Sequence, residues 1–253
     1  MKHPIASFAV LTALLACAAV AVPTPAPGAK KSTPLLDKGV FIVTYQGHAL
    51  ATESFSYESD EDSLIALSEY IQLVRGGDTL RKVTFAMIKA SDYDLRLYQS
   101  TLTLGRKKLV RGLTFGDTTV AAFREDEKGG EGTAYRRPPG RLYAMEANSY
   151  ILFDIIARNL ARREFTRWPV QLFSLGEQDT ISEALATDLG SETIRWGEKP
   201  VVARKISMSE GDASFLMWIG PQKYMLRLEE PNLGLVVERK APPVKAAPRP
   251  TPH

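Results

Sequence analysis

Cysteine is all but missing from this chain of 253 residues, since Cys17 is the only one. Intramolecular disulfides, a cysteine nucleophile further along and any thiolate metal site are thereby excluded. Histidine is nearly as scarce. His3 and His253 sit at the two ends, which leaves His48 alone between them, in the turn-like stretch Gln46-Gly47-His48. A histidine metal cluster is excluded by count, and a Ser-His-Asp triad would have to rest on one turn residue. G-x-S-x-G, a P-loop, a dinucleotide fingerprint and H-E-x-x-H are all missing. No metal, cofactor or catalytic residue is expected, and the absences point away from an enzyme.

Strong charge is lacking too. The formal net charge is +3 and the sequence pI about 8.9, which gives no case for nucleic acid as a partner. The basic residues do cluster, as Arg106, Lys107, Lys108 and Arg111, and again as Arg136, Arg137 and Arg141. An anionic surface is one partner they suggest; solvated loop charge is the plainer reading. Carboxylates are plentiful, with Glu53, Asp92, Asp94, Glu146, Asp154 and Glu192 in or beside expected elements. Two of them could serve as acid and base, but no spacing singles out a pair.

What is present begins with an address. Lys2 is followed by the apolar run Ile5 to Leu15 and then small residues, so residues 1–22 read as a secretory signal, too short to span a membrane as a mature helix. Two processing readings compete. Leu14-Leu15-Ala16-Cys17 is lipobox-like and would make Cys17 an acylated N-terminus, whereas Ala19-Val20-Ala21 is an A-x-A cleavage site. Either way the protein is expected to be exported, to the periplasm or the outer membrane of a Gram-negative bacterium. Residues 23–36 form a Pro/Ala/Lys linker and 241–253 a Pro-rich basic tail, a composition that buries too little apolar surface to fold. Association with membrane or cell wall follows from either end; protein partners are not specified.

Residues 37–240 then form a single β-rich domain. Gly39 to Tyr45 and Leu50 to Tyr57 read as a hairpin. Ser63–Arg75 fits both helical and strand spacing; the Gly76-Gly77 turn and the strand-like Leu80 to Ile88 favour strand. Tyr93, Leu95 and Leu97 alternate with charged residues, and a meander continues to Phe123. Glu125 to Gly132 reads as a charged loop. Thr180 to Leu189 fits a capped helix or another strand. Phe165 to Leu175, Glu192 to Trp196, Val201 to Met208, Phe215 to Ile219, Tyr224 to Glu229 and Leu233 to Val237 read as strands, and Gly220-Pro221-Gln222-Lys223 reads as a type I or II turn. The clearest helix is Asn148–Arg163. Leu152, Ile155, Ile156, Asn159 and Leu160 form its apolar stripe, opposite Asp154, Arg158 and Arg162. Asn148 or Ser149 suits its cap. The fold expected is mainly β (α+β), a strongly curved antiparallel sheet or half-open barrel with one main helix packed against it.

The opening Gly39-x-Phe41-x-Val43-x-Tyr45-x-Gly47, the helix Asn148 to Arg163, Leu189 to Ile194 with Val201 to Ile206, and the final strand pair together resemble uncharacterised secreted bacterial proteins with a half-open, curved antiparallel sheet. More distantly they are similar to the lipoprotein carrier and receptor proteins of the Gram-negative envelope. That resemblance implies a sheet wrapped around a hydrophobic cavity. A barrel with one helix has an interior larger than the helix fills, and the residues expected to line it are Phe41, Tyr93, Leu95, Leu97, Leu152, Ile156, Leu160, Met217 and Leu226. Their ligand would be a lipid or acyl chain, the plain alternative being a packed core. Two other readings stand beside it: a carboxylate-dependent hydrolase or glycan binder acting on cell-wall sugars, with an acidic pair in a cleft beside Trp168, Trp196 or Trp218, and a structural envelope component.

Overall fold

The computed structural model describes residues 34–74 and 76–242. The expected signal, Cys17, most of the linker and residues 243–253 of the tail lie outside them. Alternating apolar and polar residues become strands along nearly the whole of the rest. In chain order these are β1 (Leu35–Tyr45), β2 (His48–Asp60), β3 (Ser63–Leu73), β4 (Thr79–Lys89), β5 (Leu95–Leu104), β6 (Lys107–Phe115), β7 (Thr119–Asp126), β8 (Gly129–Arg136) and β9 (Leu142–Glu146). The helix α1 (Tyr150–Leu160) follows, then β10 (Arg167–Leu175), β11 (Thr180–Trp196), β12 (Lys199–Glu210), β13 (Ala213–Ile219), β14 (Met225–Glu230) and β15 (Leu235–Arg239).

All fifteen strands belong to one sheet, ordered β8 back to β1 and then β15 back to β9. The chain therefore starts in the middle, walks out to one edge, crosses to the other and walks back. Every pairing is antiparallel except β9 with β10, and that parallel pair is the one joined by a helical crossover, as parallel strands require. Short turns set the antiparallel registers. Between β1 and β2 both Gln46 and Gly47 have positive φ, 49° and 79°, the geometry of a twist-compatible hairpin turn.

The sheet is rolled, and its β9 edge is wound inside. Leu142, Tyr143, Ala144 and Glu146 of β9 are all buried. Tyr143 Oη donates to Asn159 Oδ1 of the helix at 2.7 Å, while Glu146 reaches β4, β5 and β6 on the other side. Burying both faces of an edge strand protects it from pairing with other chains. The β8 edge is exposed, apart from Tyr135, whose ring meets Phe173 of β10 edge-on at 5.1 Å. Curvature also needs close approaches. A Cβ on Gly112 of β6 would lie 2.0 Å from the Phe123 ring of β7, so that ring lies directly over the glycine backbone.

The helix departs from its expected amphipathic form. All eleven residues of α1 are buried, Asp154, Arg158 and Asn159 included, because the rolled sheet surrounds it and leaves no solvent side. Two other readings are corrected or decided. Glu125 to Gly132 is no loop: Arg124 pairs with Glu131 and Asp126 with Gly129 across the β7–β8 hairpin. An edge strand exposed on both faces has no core-facing alternation to show in its sequence. Thr180 to Leu189 belongs to the seventeen-residue strand β11, and Ser63 to Leu73 is a strand, as the turn after it suggested.

Candidate functional site

A helix inside a sheet needs partners for its polar ends. Ser149 occupies the N-cap position but makes no side-chain cap bond; its hydroxyl is turned to Tyr98 Oη at 2.9 Å. The cap comes instead from ninety-odd residues earlier. Glu53 Oε2, on β2, accepts the backbone N–H groups of Tyr150 at 2.7 Å and Ile151 at 3.2 Å, and Ser68 Oγ donates to Oε1 at 2.6 Å. Glu53 is fully buried, and that burial pushes its carboxyl up to about 7, against the pull of these hydrogen bonds and of Lys82.

A second carboxylate lies nearby. Glu146 receives Lys82 Nζ at 2.7 Å, Ser100 Oγ at 2.9 Å, Arg111 Nη1 at 3.2 Å and the Tyr98 hydroxyl. Burial alone would raise it, but the Lys82 charge and the hydrogen bonds outweigh burial and hold it below the usual range. Burial lowers Lys82 in turn, more than Glu146 restores. Farther along the helix, Asp154 accepts Tyr57 Oη, Arg158 Nε and the Met225 N–H at 2.7–2.8 Å. Arg158 also pairs with Asp37, which Arg239 grips with both terminal nitrogens. Burial would free the Arg158 proton, yet Asp154, Tyr57 and Asp37 bind it more tightly than usual.

Beside the helix N-terminus lies a hollow of about 380 Å³, within the range of roughly 300–1,000 Å³ usual for ligand pockets. Tyr150 and Phe153 of α1 form one wall, with Leu50, Leu175, Phe215, Leu228 and Leu235 opposite and Leu233 at the rim. The aromatic rings pack on one another: Phe153 is tilted against Phe215 at 5.3 Å and stacks loosely on Tyr150 at 6.4 Å. Glu146 and Glu230 are the charged residues on its wall. Burial raises the Glu230 carboxyl.

The nine residues expected to line a cavity lie elsewhere, and none borders this hollow. Phe41, Leu95, Leu152, Ile156, Leu160 and Met217 are packed core, with Phe41 stacked on Phe55 at 4.6 Å. Tyr93 sits half-buried in a turn at φ 59°, under the Arg162 guanidinium. Leu97 has the parity opposite to Tyr98 and lies on the outer face, across from Met87 and Thr114. Leu226 joins a separate small cluster with Ala203 and Trp218. The hollow was missed because most of its walls are strand ends and turns, where alternation stops. Tyr150 and Phe153, one helical turn apart, were its only sequence trace.

The other candidates are accounted for. Glu192 pairs with Lys205, and Asp94 with Arg141; Asp92 accepts the Asp94 N–H. Trp168 carries Arg163 on its face and Trp196 donates to the Arg239 carbonyl. His48 is exposed beside its turn. Among the described residues no group of three or more His, Cys, Asp or Glu could hold a metal ion.

Fold and site thus define a class: a curled, barrel-like β-sheet around a buried helix, with an apolar hollow at the helix N-terminus. No family model matches the chain, and no curated protein does. Among solved structures it is similar to a beta-barrel-like protein, of domain of unknown function DUF1849, from Brucella abortus. The TM-score is 0.50 at 6% identity, over 82% of this chain and 95% of that one. At that identity the likeness shows the fold alone.

Proposed function

We propose that this is an exported, envelope-associated protein that holds a lipid or acyl chain in the hollow beside the helix N-terminus, without catalysis. The observation that carries the reading is the hollow itself: apolar side chains bound a space that the helix does not fill, at an open end of the sheet. Apolar surface left uncovered favours an apolar ligand by about 25 cal/mol per Å². The distant likeness to lipoprotein carriers agrees with this chemistry. Export rests on residues 1–22, and attachment to a membrane on Cys17.

Native mass spectrometry of the full chain purified from a bacterial periplasm tests it. A bound mass matching a phospholipid or acyl species is expected. In Leu50→Trp, where an indole fills the hollow, that mass is expected to fall about tenfold in occupancy. A bare wild-type protein, and no binding of added fatty acid, would overturn the reading.

A carboxylate-dependent hydrolase is the second reading, because Glu53 and Glu146 flank Lys82 with carboxyls shifted in opposite directions, the pattern of an acid–base pair. Against it, Glu53 is fully buried and spends both oxygens on the helix and Ser68. Clearing of a peptidoglycan suspension that Glu53→Gln abolishes would decide for it.

A further inference from the structure

The end of the sheet where α1 begins carries a second hollow, of about 360 Å³. The β5–β6 and β7–β8 turns build it, with Leu102, Leu104 and Leu109 beside Lys107, Lys108 and Lys128. Arg124, Asp126 and Glu127 complete it, so four cations face two carboxylates. Arg124 is the one cation of the four with an acidic neighbour, Asp126 at 3.9 Å. Lys107, Lys108 and Lys128 have no carboxylate partner among the described residues.

The two hollows are neighbours. Arg111 of β6 sits across from Arg124 of β7 in the strand register, and Arg124 lines the second hollow. The Arg111 guanidinium donates to Glu146 Oε1 at 3.2 Å and to the Gly176 carbonyl at 2.7 Å, and Glu146 lines the first. One ion pair thus stands between them. Arg111 Nε remains buried without a partner among the described residues, a spare donor at that junction.

The charges differ between the hollows. The first has no Lys or Arg in its lining, and its Glu146 is already paired with Lys82 and Arg111, so it offers an anionic head no free cation; the second is basic, with leucine side chains among its lining. We infer that the ligand of the first hollow is an amphiphile with an anionic head, a phosphate or a carboxylate, which Lys107, Lys108 and Lys128 hold at the hairpin tips while its chain runs past Arg111 toward the helix N-terminus. This rests on the binding function proposed above and names the ligand class. Exposed cations on short hairpins suit a head that stays wet, since a surface ion pair costs little desolvation. The leucines between them supply the apolar floor.

Titration calorimetry on the full chain tests it, with dodecyl phosphate, dodecyl maltoside and inorganic phosphate, each below micelle concentration. The wild-type protein is expected to bind dodecyl phosphate about tenfold more tightly than dodecyl maltoside. The double variant Lys107→Glu/Lys108→Glu, altered at exposed positions, is expected to lose that preference and keep its dodecyl maltoside affinity. Equal wild-type affinities would overturn the anionic-head inference and leave the hollow reading standing. A preference that survives the double variant would overturn the lysine assignment. Displacement of dodecyl phosphate by inorganic phosphate alone would mark a free-anion site and overturn the amphiphile. No binding of either detergent would overturn both readings.

Discussion

The two ends of the buried helix are capped by opposite means. At the N-terminus a wholly buried carboxylate, Glu53, meets two N–H groups, with no cation within ion-pair reach among the described residues. At the C-terminus Arg204, from β12, donates to the carbonyls of Leu160 at 3.1 Å and Arg163 at 2.8 Å and pairs with Asp188 at 2.9 Å. Arg204 keeps part of its surface in solvent. Both choices suit the helix dipole, but their costs differ. The Glu53 carboxyl, desolvated without an ion-pair partner, is pushed up to about 7, whereas Arg204 sits at the rim, paired and partly wet. The hollow lies at the end where the charge is negotiable.

The comparison can be broken most severely between the two ends. Asp154→Ala leaves buried Arg158 with Asp37 as its one remaining anion, and the Tyr57 hydroxyl and Met225 N–H without an acceptor; a loss of about 3–5 kcal/mol is expected, read from urea denaturation. The N-terminal end is tested by pH. Folded, the Glu53 carboxyl keeps its proton up to about pH 7; unfolded, it loses it near its ordinary value of 4.5. Its contribution to stability is therefore complete below about pH 4.5 and lost as pH rises through 7. Across that window wild type should lose about 3 kcal/mol relative to Glu53→Gln, measured as the difference between their melting curves.

Asp37 behaves in the opposite sense. Burial would raise its carboxyl, but Arg239 and Arg158 hold it below 3.8. Its contribution is present above that value and disappears as pH falls through the folded-state value, so acid should loosen the Asp37–Arg158–Arg239 cluster while it secures Glu53. Asp37→Asn should flatten the acid limb alone. At the C-terminal cap, Arg204→Ala removes two carbonyl partners from a partly exposed site, and about 1 kcal/mol is expected, with no change in the neutral-pH slope. A slope change there would mean that the two ends are coupled through the helix.

Much of this architecture was legible beforehand, and for a local reason. Alternation in Gly39 to Tyr57, the Gln46-Gly47 turn and the Gly220-Pro221 turn fix strands and hairpins within a few residues of chain. The Pro221 turn closes as its sequence implies, with the Lys223 N–H on the Gly220 carbonyl at 2.9 Å. The helix was legible too, but its environment was not. Asp154 and Arg158 look like a solvent face at helical spacing, and only Tyr57, Asp37 and Met225, brought from distant strands, make them interior groups. The cap went the same way: Ser149 has the right identity in the right place, yet Glu53 supplies the bond. Nothing in the spacing of Glu53 and Tyr150 links them.

By itself, then, the sequence determined a β-rich, curved domain with one apolar helix, and it excluded a histidine metal cluster and intramolecular disulfides, because periodicity and composition can be read along the chain. The tertiary structure alone decided that the sheet rolls until β9 lies inside, that Glu53 becomes a helix cap with a carboxyl near 7, and that two hollows open at one end. Those outcomes depend on side chains from β2, β6, β10 and β14 meeting around the helix, and no local pattern encodes such meetings.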